Sequence, residues 1–402
     1  MLHRCSRTGA PGNRSSAARL VRECATAVVE PMEHRMLLST ARVAAISDYG
    51  MANTPESNVA AMVRRWDDSA TLAGVITSGD NYQGDYTTSD PYPARVGADN
   101  YYGRFIKRAA DPPDKVNRFF PSPGNHDWVA DNTLSFYRNY FNHLPMPTDP
   151  EWQSTWNCYD FVKGPIHFFS IDSDAHEPAG YTESSLQGQW LQRNLKASTS
   201  PWNIVYFHHP AYCSAPYDGA GRHGSNPEMQ WDFKEWGADV VINGHDHFYE
   251  RLETDGVLYL INGLGGANPA TFKYPPAPPS LVRDNGHFGG ILITADESTI
   301  SFEVRFATSP TTDVHFETVT LTAPAPPTSV LAARGAEWTY FHPYDNTDST
   351  HANPGNVNGH YYDQDFYTTW FTTNYDSTPN TWAPRSVTGV GPMGYGELGM
   401  CR

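Results

Sequence analysis

Cysteine is sparse, with five in 402 residues. Cys5 and Cys24 fall in an atypical N-terminal stretch and Cys401 is next to last, so only Cys158 and Cys213 lie inside the main body. They can form one disulfide, and the sequence decides neither for nor against it. No CxxC pair occurs, which removes the usual signature of a thiolate zinc site. Positive charge is short as well: 28 Lys and Arg stand against 44 Asp and Glu, for a formal charge of -16. Such a chain repels nucleic-acid phosphates at long range, so no nucleic-acid partner is expected. No run approaches the roughly 20 apolar residues that span a bilayer, and no membrane partner is expected either. A G-x-S-x-G nucleophile elbow is also missing. What the chain does have is core material. Its 39% hydrophobic and 13% aromatic content excludes a disordered chain, and 402 residues accommodate one large or two ordinary domains.

Residues 1–40 read differently from the rest, rich in Arg and small residues and without periodicity. The apolar run "ATAVV" is too short for a standard signal peptide. The end of this stretch, "VEPMEHRMLLST", resembles the LEPR-XLL segment near the start of exported bacterial proteins, which implies an exported or extracellular product. A disordered leader or a wrongly placed start is the alternative.

From residue 41 to 322 short apolar strands alternate with helical segments. "RVAAIS", "AGVITSG", "NRFFPSPG", "IHFFSID", "WNIVYF" and "DVVING" read as buried strands ending at Gly, Asp or His. Val59, Met62, Val63 and Trp66 recur at helical spacing, as do Leu186, Trp190, Leu191 and Leu195. Four later strands, "GVLYLING", "GGILITAD", "TISFEVRF" and "HFETVTLT", follow without helices between them. The expected fold class is α/β, a two-sheet sandwich flanked by helices. "KYPPAPPS" at 273–280 reads as a loop insertion, whereas the Pro-rich stretch at 323–329 reads as a linker. Beyond it, residues 330–402 are aromatic and Gly-rich. They resemble the first part of a galactose-binding-like β-sandwich, which implies an incomplete β module and a carbohydrate contact.

The strands deliver polar side chains in a regular way. "AISDYG" ends on Asp48, "TSGDNY" on Asp80, "SPGNHD" on Asn125 and His126, "VYFHHP" on His208 and His209, and "INGHDH" on His245 and His247. Any one of these is an ordinary turn, a helix cap or a core histidine. Five in order, each closing an apolar run, are not an ordinary occurrence. In an α/β sheet such ends converge on one edge, where ligand sites form. Imidazole, carboxylate and amide oxygen without thiolate suit hard and borderline metals.

The order D-x-G, GDN, GNHD, HxP, GHDH resembles the metallophosphoesterase (calcineurin-like) superfamily, and Gly50 after Asp48-Tyr49 resembles its purple acid phosphatase branch. The resemblance spans residues 41–322 and implies a dinuclear centre of iron with zinc, manganese or a second iron. Asp80 would bridge the two ions. Asp48 and His247 would bind the first, and Asn125, His208 and His245 the second. His126 would contact the phosphate and assist the leaving group, and His223 in "GAGRHGSN" matches the substrate-side histidine, although that stretch also reads as a flexible Gly-rich loop. His209 acquires no role. One departure stands out: where purple acid phosphatases carry a tyrosine ligand three residues after the bridging aspartate, this chain has Gln83, and tyrosine falls one residue earlier at Tyr82. On an extended segment that shift turns a side chain to the opposite face, so Tyr82 as a ligand requires a rearranged loop.

These residues imply hydrolysis of a phosphate monoester by a hydroxide held on the metals, with a phosphate ester as the partner molecule. A phosphodiesterase on the same site is the first alternative. A binding protein with a vestigial site is the second, and the full set of ligand types speaks against it.

Overall fold

The first strand, β1 (Ala41–Ile46), points Val43 and Ala45 to one side and Ala44 and Ile46 to the other, and all four are fully buried. A strand buried on both faces needs a layer on each side, and that requirement generates the architecture. The computed structural model describes residues 40–147, 157–216, 223–273, 275–276, 279–323, 337–341 and 386–390. The chain divides into two compact units, Met1–Pro324 and Ala325–Arg402.

In the first unit, β1, β2 (Gly74–Ser78) and β3 (Phe119–Ser122) run parallel. They join antiparallel β11 (Gly289–Ala295), β12 (Thr299–Ala307) and β13 (Asp313–Thr322) in a six-stranded sheet of order β13-β12-β11-β1-β2-β3. The second sheet has seven strands. Parallel β5 (Ile166–Ser170), β6 (Trp202–Tyr206), β7 (Val240–Asn243) and β9 (Val257–Asn262) carry antiparallel β4 (Tyr159–Lys163) at one edge and β8 (Tyr249–Thr254) and β10 (Ser280–Asp284) at the other. Val43, Ala45 and Ile76 of the first sheet and Phe168, Ile204 and Ile242 of the second share the central core, so the sheets pack face to face.

Helices close the outer faces. α1 (Thr54–Ser69) lays Val59, Met62, Val63 and Trp66 on the outside of the first sheet. It starts cleanly because Asn53 Oδ1 accepts from the Glu56 amide at 2.9 Å and Pro55 occupies the first turn. The short helix α2 (Tyr92–Arg95) comes next, and α3 (Asn125–Asp131) begins directly after β3. α4 (Ser135–Tyr140) follows, and α5 (Leu186–Ala197) packs Trp190, Leu191 and Leu195 on the second sheet. Each such side chain stabilises by roughly 1.5–3 kcal/mol relative to exposure. Leu186, expected on the same face of α5, is 52% exposed; Gln187 turns inward instead and binds the backbone of Asp172.

Three strands escaped the sequence reading. β4 and β10 are edge strands of mixed burial, and β8 interrupts its apolar positions with the adjacent charged residues Glu250 and Arg251. Cys158 and Cys213 are free, buried thiols. In the second unit the described residues are β14 (Glu337–Phe341) and β15 (Ser386–Val390), paired antiparallel. The export segment before residue 40, most of the Pro-rich linker, and the rest of the expected β module with its carbohydrate contact lie outside the described residues.

Candidate metal centre

Both sheets end their parallel strands at one edge. Asp48 follows β1, Asp80 follows β2, and Asn125 opens α3 after β3; His208 follows β6, and His245 and His247 follow β7. The turns are tight. Asp48, Asp80 and His245 hold left-handed backbone, with φ of 55°, 50° and 68°. Non-glycine residues in this region carry strain of order 1–3 kcal/mol each, a cost that clusters at functional sites. Two glycines make room. A Cβ on Gly79 would stand 2.6 Å from His208 Nδ1, and one on Gly124 would run into the Asp80 carboxylate.

Around Asp80 the donor atoms fall into two groups. Its Oδ1 lies 3.2 Å from His208 Nε2, which is 3.0 Å from Asn125 Oδ1 and 3.2 Å from His245 Nδ1. Its Oδ2 faces Gln83 Nε2 at 2.9 Å, which also approaches Asp48 Oδ1 at 3.4 Å; the same Asp48 oxygen lies 3.4 Å from His247 Nε2. Suitable atoms of Asp48, Asp80 and His208 lie within 4.8 Å of one another, and all three residues are buried. Six expected ligands are thus brought together, with one carboxylate between two clusters.

The histidines are aimed from behind. His208 Nδ1 pairs with Ser78 O at 2.8 Å and His247 Nδ1 with Asn268 O at 2.8 Å, which directs each Nε2 toward the carboxylates. A neutral His208 whose Nδ1 donates to Ser78 presents only a lone pair at Nε2. That lone pair would meet the oxygens of Asp80 and Asn125 and the nearest nitrogen of His245. A positive charge has to stand among them. Without a metal, a proton supplies it: burial would depress His208, but the Asp80 carboxylate overrides burial and pushes the imidazole up to about 10. Burial opposes ionisation of Asp80, and the His208 charge nevertheless holds its carboxyl well below the usual range. His247 is raised too, its Asp48 partner outweighing burial. His245 goes the other way, depressed by burial and by the neighbouring histidines, and its buried Nε2 has no hydrogen-bond partner among the described residues. Acceptors converging on a shared demand for positive charge fit a cation, which binds as that proton leaves.

His126 and His223 reach the same cavity, about 140 Å³ in volume and lined also by Asp80, Asn125, His245 and His247. His126 Nδ1 is tied to Gly84 O at 3.0 Å, and His223 Nδ1 lies 2.9 Å from Asp246 Oδ1. A larger groove of about 510 Å³ lies elsewhere, between α5 and the Pro227–Met229 turn, and its lining includes no histidine, aspartate or cysteine. Tyr82, the alternative ligand, points away. It is buried in the core on the outside of the first sheet, its hydroxyl donates to Asp85 O at 3.2 Å, and the Arg95 guanidinium lies 5.7 Å from its ring centre. Alternation along the segment puts Gln83 in the site and Tyr82 out of it.

Residues 41–249 match the family described as Calcineurin-like phosphoesterase. The chain belongs to that family. Among curated relatives, the chain is 24% identical over 246 residues to Purple acid phosphatase 15 of Arabidopsis thaliana, covering 56% of this chain and 45% of the relative. It is 27% identical over 206 residues to human Acid phosphatase type 7, covering 47% and 43%. It therefore spans less than half the length of either. Among solved structures, purple acid phosphatase PPD1 from yellow lupin superimposes with a TM-score of 0.53 at 19% identity, over 74% of this chain and 58% of the other. GAP50, the anchor in the inner membrane complex of Plasmodium, gives 0.52 at 15% identity, over 72% and 91%. At these identities the two structures speak for the fold alone.

Several residues of this site were not visible from the motifs. Asp127, the D of "GNHD", accepts from the amides of Gly124 and Asn81 at 2.8 and 3.1 Å and from Tyr92 at 2.7 Å, tying the Asp80 turn to the Asn125 turn. Burial and the nearby Asp80 charge push its carboxyl up to about 6. Asp246, between the two histidines of "GHDH", is fully buried. It accepts the Cys213 thiol at 2.9 Å and the Gly224 amide at 3.2 Å besides facing His223. His209 packs behind His245, its Nδ1 2.9 Å from Ser173 Oγ, and burial with the His208 charge lowers it to about 4. A carboxylate in the middle of a motif, flanked by stronger candidates, gives no sequence signal of the partner it will meet.

Proposed function

We propose that this protein hydrolyses phosphate monoesters at a two-metal centre, an acid phosphatase reading supported by relatives named Purple acid phosphatase 15 and Acid phosphatase type 7. The observation that carries the reading is the split of the Asp80 carboxylate. One oxygen meets the Asn125–His208–His245 group directly, and the other faces the Asp48–His247 group through the Gln83 amide.

Asp48, Asp80 and His247 would hold the first ion, and Asp80, Asn125, His208 and His245 the second. When bound, the ions would acidify water and polarise phosphoryl oxygens. The protein's own residues do the rest. Among the described residues six side chains line a small cavity rich in imidazole, and Asp80 is the one carboxylate among them. His126 and His223 meet the developing negative charge from two loops, where fixed donors contribute most to catalysis. With Nδ1 held by Gly84 O, His126 has Nε2 left to hydrogen-bond the departing oxygen or protonate it. A monoester offers three non-bridging oxygens, and two ions with two histidines are a complement matched to them.

The test is turnover of the full chain loaded in parallel with iron, zinc and manganese, using p-nitrophenyl phosphate against its bis-ester. Preference for the monoester is expected. Preference for the bis-ester would move the assignment to a phosphodiesterase. Asp80→Ala is expected to lose both metal content and turnover; turnover that survived it would end the two-metal reading.

A further inference from the structure

The Gln83 side chain occupies a place that the ligand set leaves open. Its amide nitrogen lies 2.9 Å from Asp80 Oδ2 and 3.4 Å from Asp48 Oδ1, against the two carboxylates that frame the first metal position. Among the described residues no other hydrogen bond holds the amide. From this geometry we propose that Gln83 is the fourth protein ligand of the first ion, giving it the side-chain carbonyl oxygen, and that the ion it suits is divalent. The inference rests on the two-metal reading above and adds a residue and a charge preference to it.

The argument is electrostatic. Two carboxylates facing an amide attract its NH2 end, and it is the NH2 end that faces Asp80 and Asp48. A cation between them reverses the preference. It repels the NH2 and attracts the carbonyl, and the two ends are nearly equal in size. A half-turn about the last side-chain bond exchanges them without moving the backbone. Asp48 Oδ1, Asp80 Oδ2, His247 Nε2 and the Gln83 carbonyl then make four donors, three of them oxygen. Carboxylate, amide and a single imidazole are hard to borderline donors of the kind that hold Mn²⁺, Mg²⁺ or Zn²⁺. The first position has only Asp48 and a shared Asp80 as anions. A neutral fourth ligand adds no charge, and a trivalent ion is left under-compensated compared with a site that has a third anion.

A hydrogen bond from Gln83 to Asp80, with water as the fourth ligand, is the competing account, and one substitution separates the two. In Gln83→Ala the ligand account removes a donor from the first ion, so the Co²⁺ spectrum changes; the hydrogen-bond account leaves the ligand shell whole, so the spectrum stays that of the parent. Gln83→Glu sets a carboxylate beside the ion and tightens Mn²⁺ under either account. The experiment is calorimetric titration of the metal-free full chain with Mn²⁺, together with the visible absorption of the Co²⁺-loaded protein. The expected results are two ions per chain, about a tenfold or greater loss at one site in Gln83→Ala with the other unchanged, a gain at that site in Gln83→Glu, and a changed Co²⁺ spectrum in both variants. Unaltered titration or a parent-like Co²⁺ spectrum in Gln83→Ala overturns the ligand role while two bound ions in the parent keep the two-metal reading intact. Fewer than two ions in the parent, with no loss in Asp80→Ala, overturns both.

Discussion

Asp246 is the residue whose function depends most on its neighbours. A buried carboxylate with one oxygen on the Cys213 thiol and the Gly224 amide has little freedom, and its other oxygen therefore fixes the ring of His223. Replacing it with asparagine keeps the shape and removes the charge. Asp246→Asn is expected to lower kcat on the order of 10–100-fold, the usual loss when a partner that orients a working histidine is removed. Metal content by elemental analysis should stay that of the parent, because Asp246 touches neither cluster. A fall in metal content would instead place Asp246 in support of His245 and His247. At this scale the sequence was legible wherever a side chain's role follows from its own chemistry. Asp48, Asp80, Asn125, His208, His245 and His247 are metal-ligand types after strand ends. Asp246, Asp127 and Gln83 act through what they face, and facing is a product of the fold. The choice between Tyr82 and Gln83 turned on one step of alternation along an extended segment.

Among the elements, α1 carries a titratable group in its cap. Glu56 Oε2 accepts from the Ala52 amide at 2.6 Å while Asn53 accepts from Glu56, a reciprocal arrangement like a capping box. The Glu56 side chain is buried, and burial pushes its carboxyl up from 4.5 to about 7 despite the backbone donors. The native state therefore keeps a proton that the unfolded chain releases above about 4.5, so this group makes folding less favourable as pH rises from about 4.5 through 7. The span corresponds to roughly 3 kcal/mol. Glu56→Gln keeps an acceptor for Ala52 and cannot ionise. Urea unfolding at several pH values should show the variant gaining on the parent as pH rises through this window; parallel curves would refute the buried-acid account. Removing the cap itself, Asn53→Ala, should cost about 1 kcal/mol at any pH. Central strands and the two long helices were legible because burial writes a period into the sequence. β4, β8 and β10 were not, since strands at or near a sheet edge mix polar and apolar positions. Leu186 misled for a related reason: at the first turn of α5 the helical face is set by the Gln187 contact to Asp172, not by hydrophobicity.

For the molecule as a whole, two properties follow from the core and the site together. Cys158 and Cys213 are buried thiols in one outer core cluster, with burial raising both well above the ordinary thiol range. Reductant should leave the melting temperature unchanged, and peptide mapping after alkylation should find both cysteines unlabelled until the protein is unfolded. The proposed ions would bind the native arrangement of strand ends and not the unfolded chain. Loading at 100 times Kd should therefore add about 2.7 kcal/mol per independent site, and chelation should remove it. A melting temperature indifferent to metal and chelator would argue against a preformed centre. The α/β class and the two-sheet sandwich were visible from the order of strands and helices. The register between the sheets was not, because nothing in either set of strands names its partner across the core.

The first sheet supplies Asp48, Asp80 and Asn125, and the second supplies His208, His245 and His247. Every oxygen donor of this set thus stands on one slab and every nitrogen donor on the other. In mechanical terms the proposed ions are a cross-brace, resisting shear and separation of the slabs at an edge where apolar packing gives way to polar loops. Mild acid that protonates imidazoles would loosen one end of the brace and leave the other gripped. The slab carrying carboxylates would keep its ions longest, so metal loss and sheet parting would begin from the histidine side.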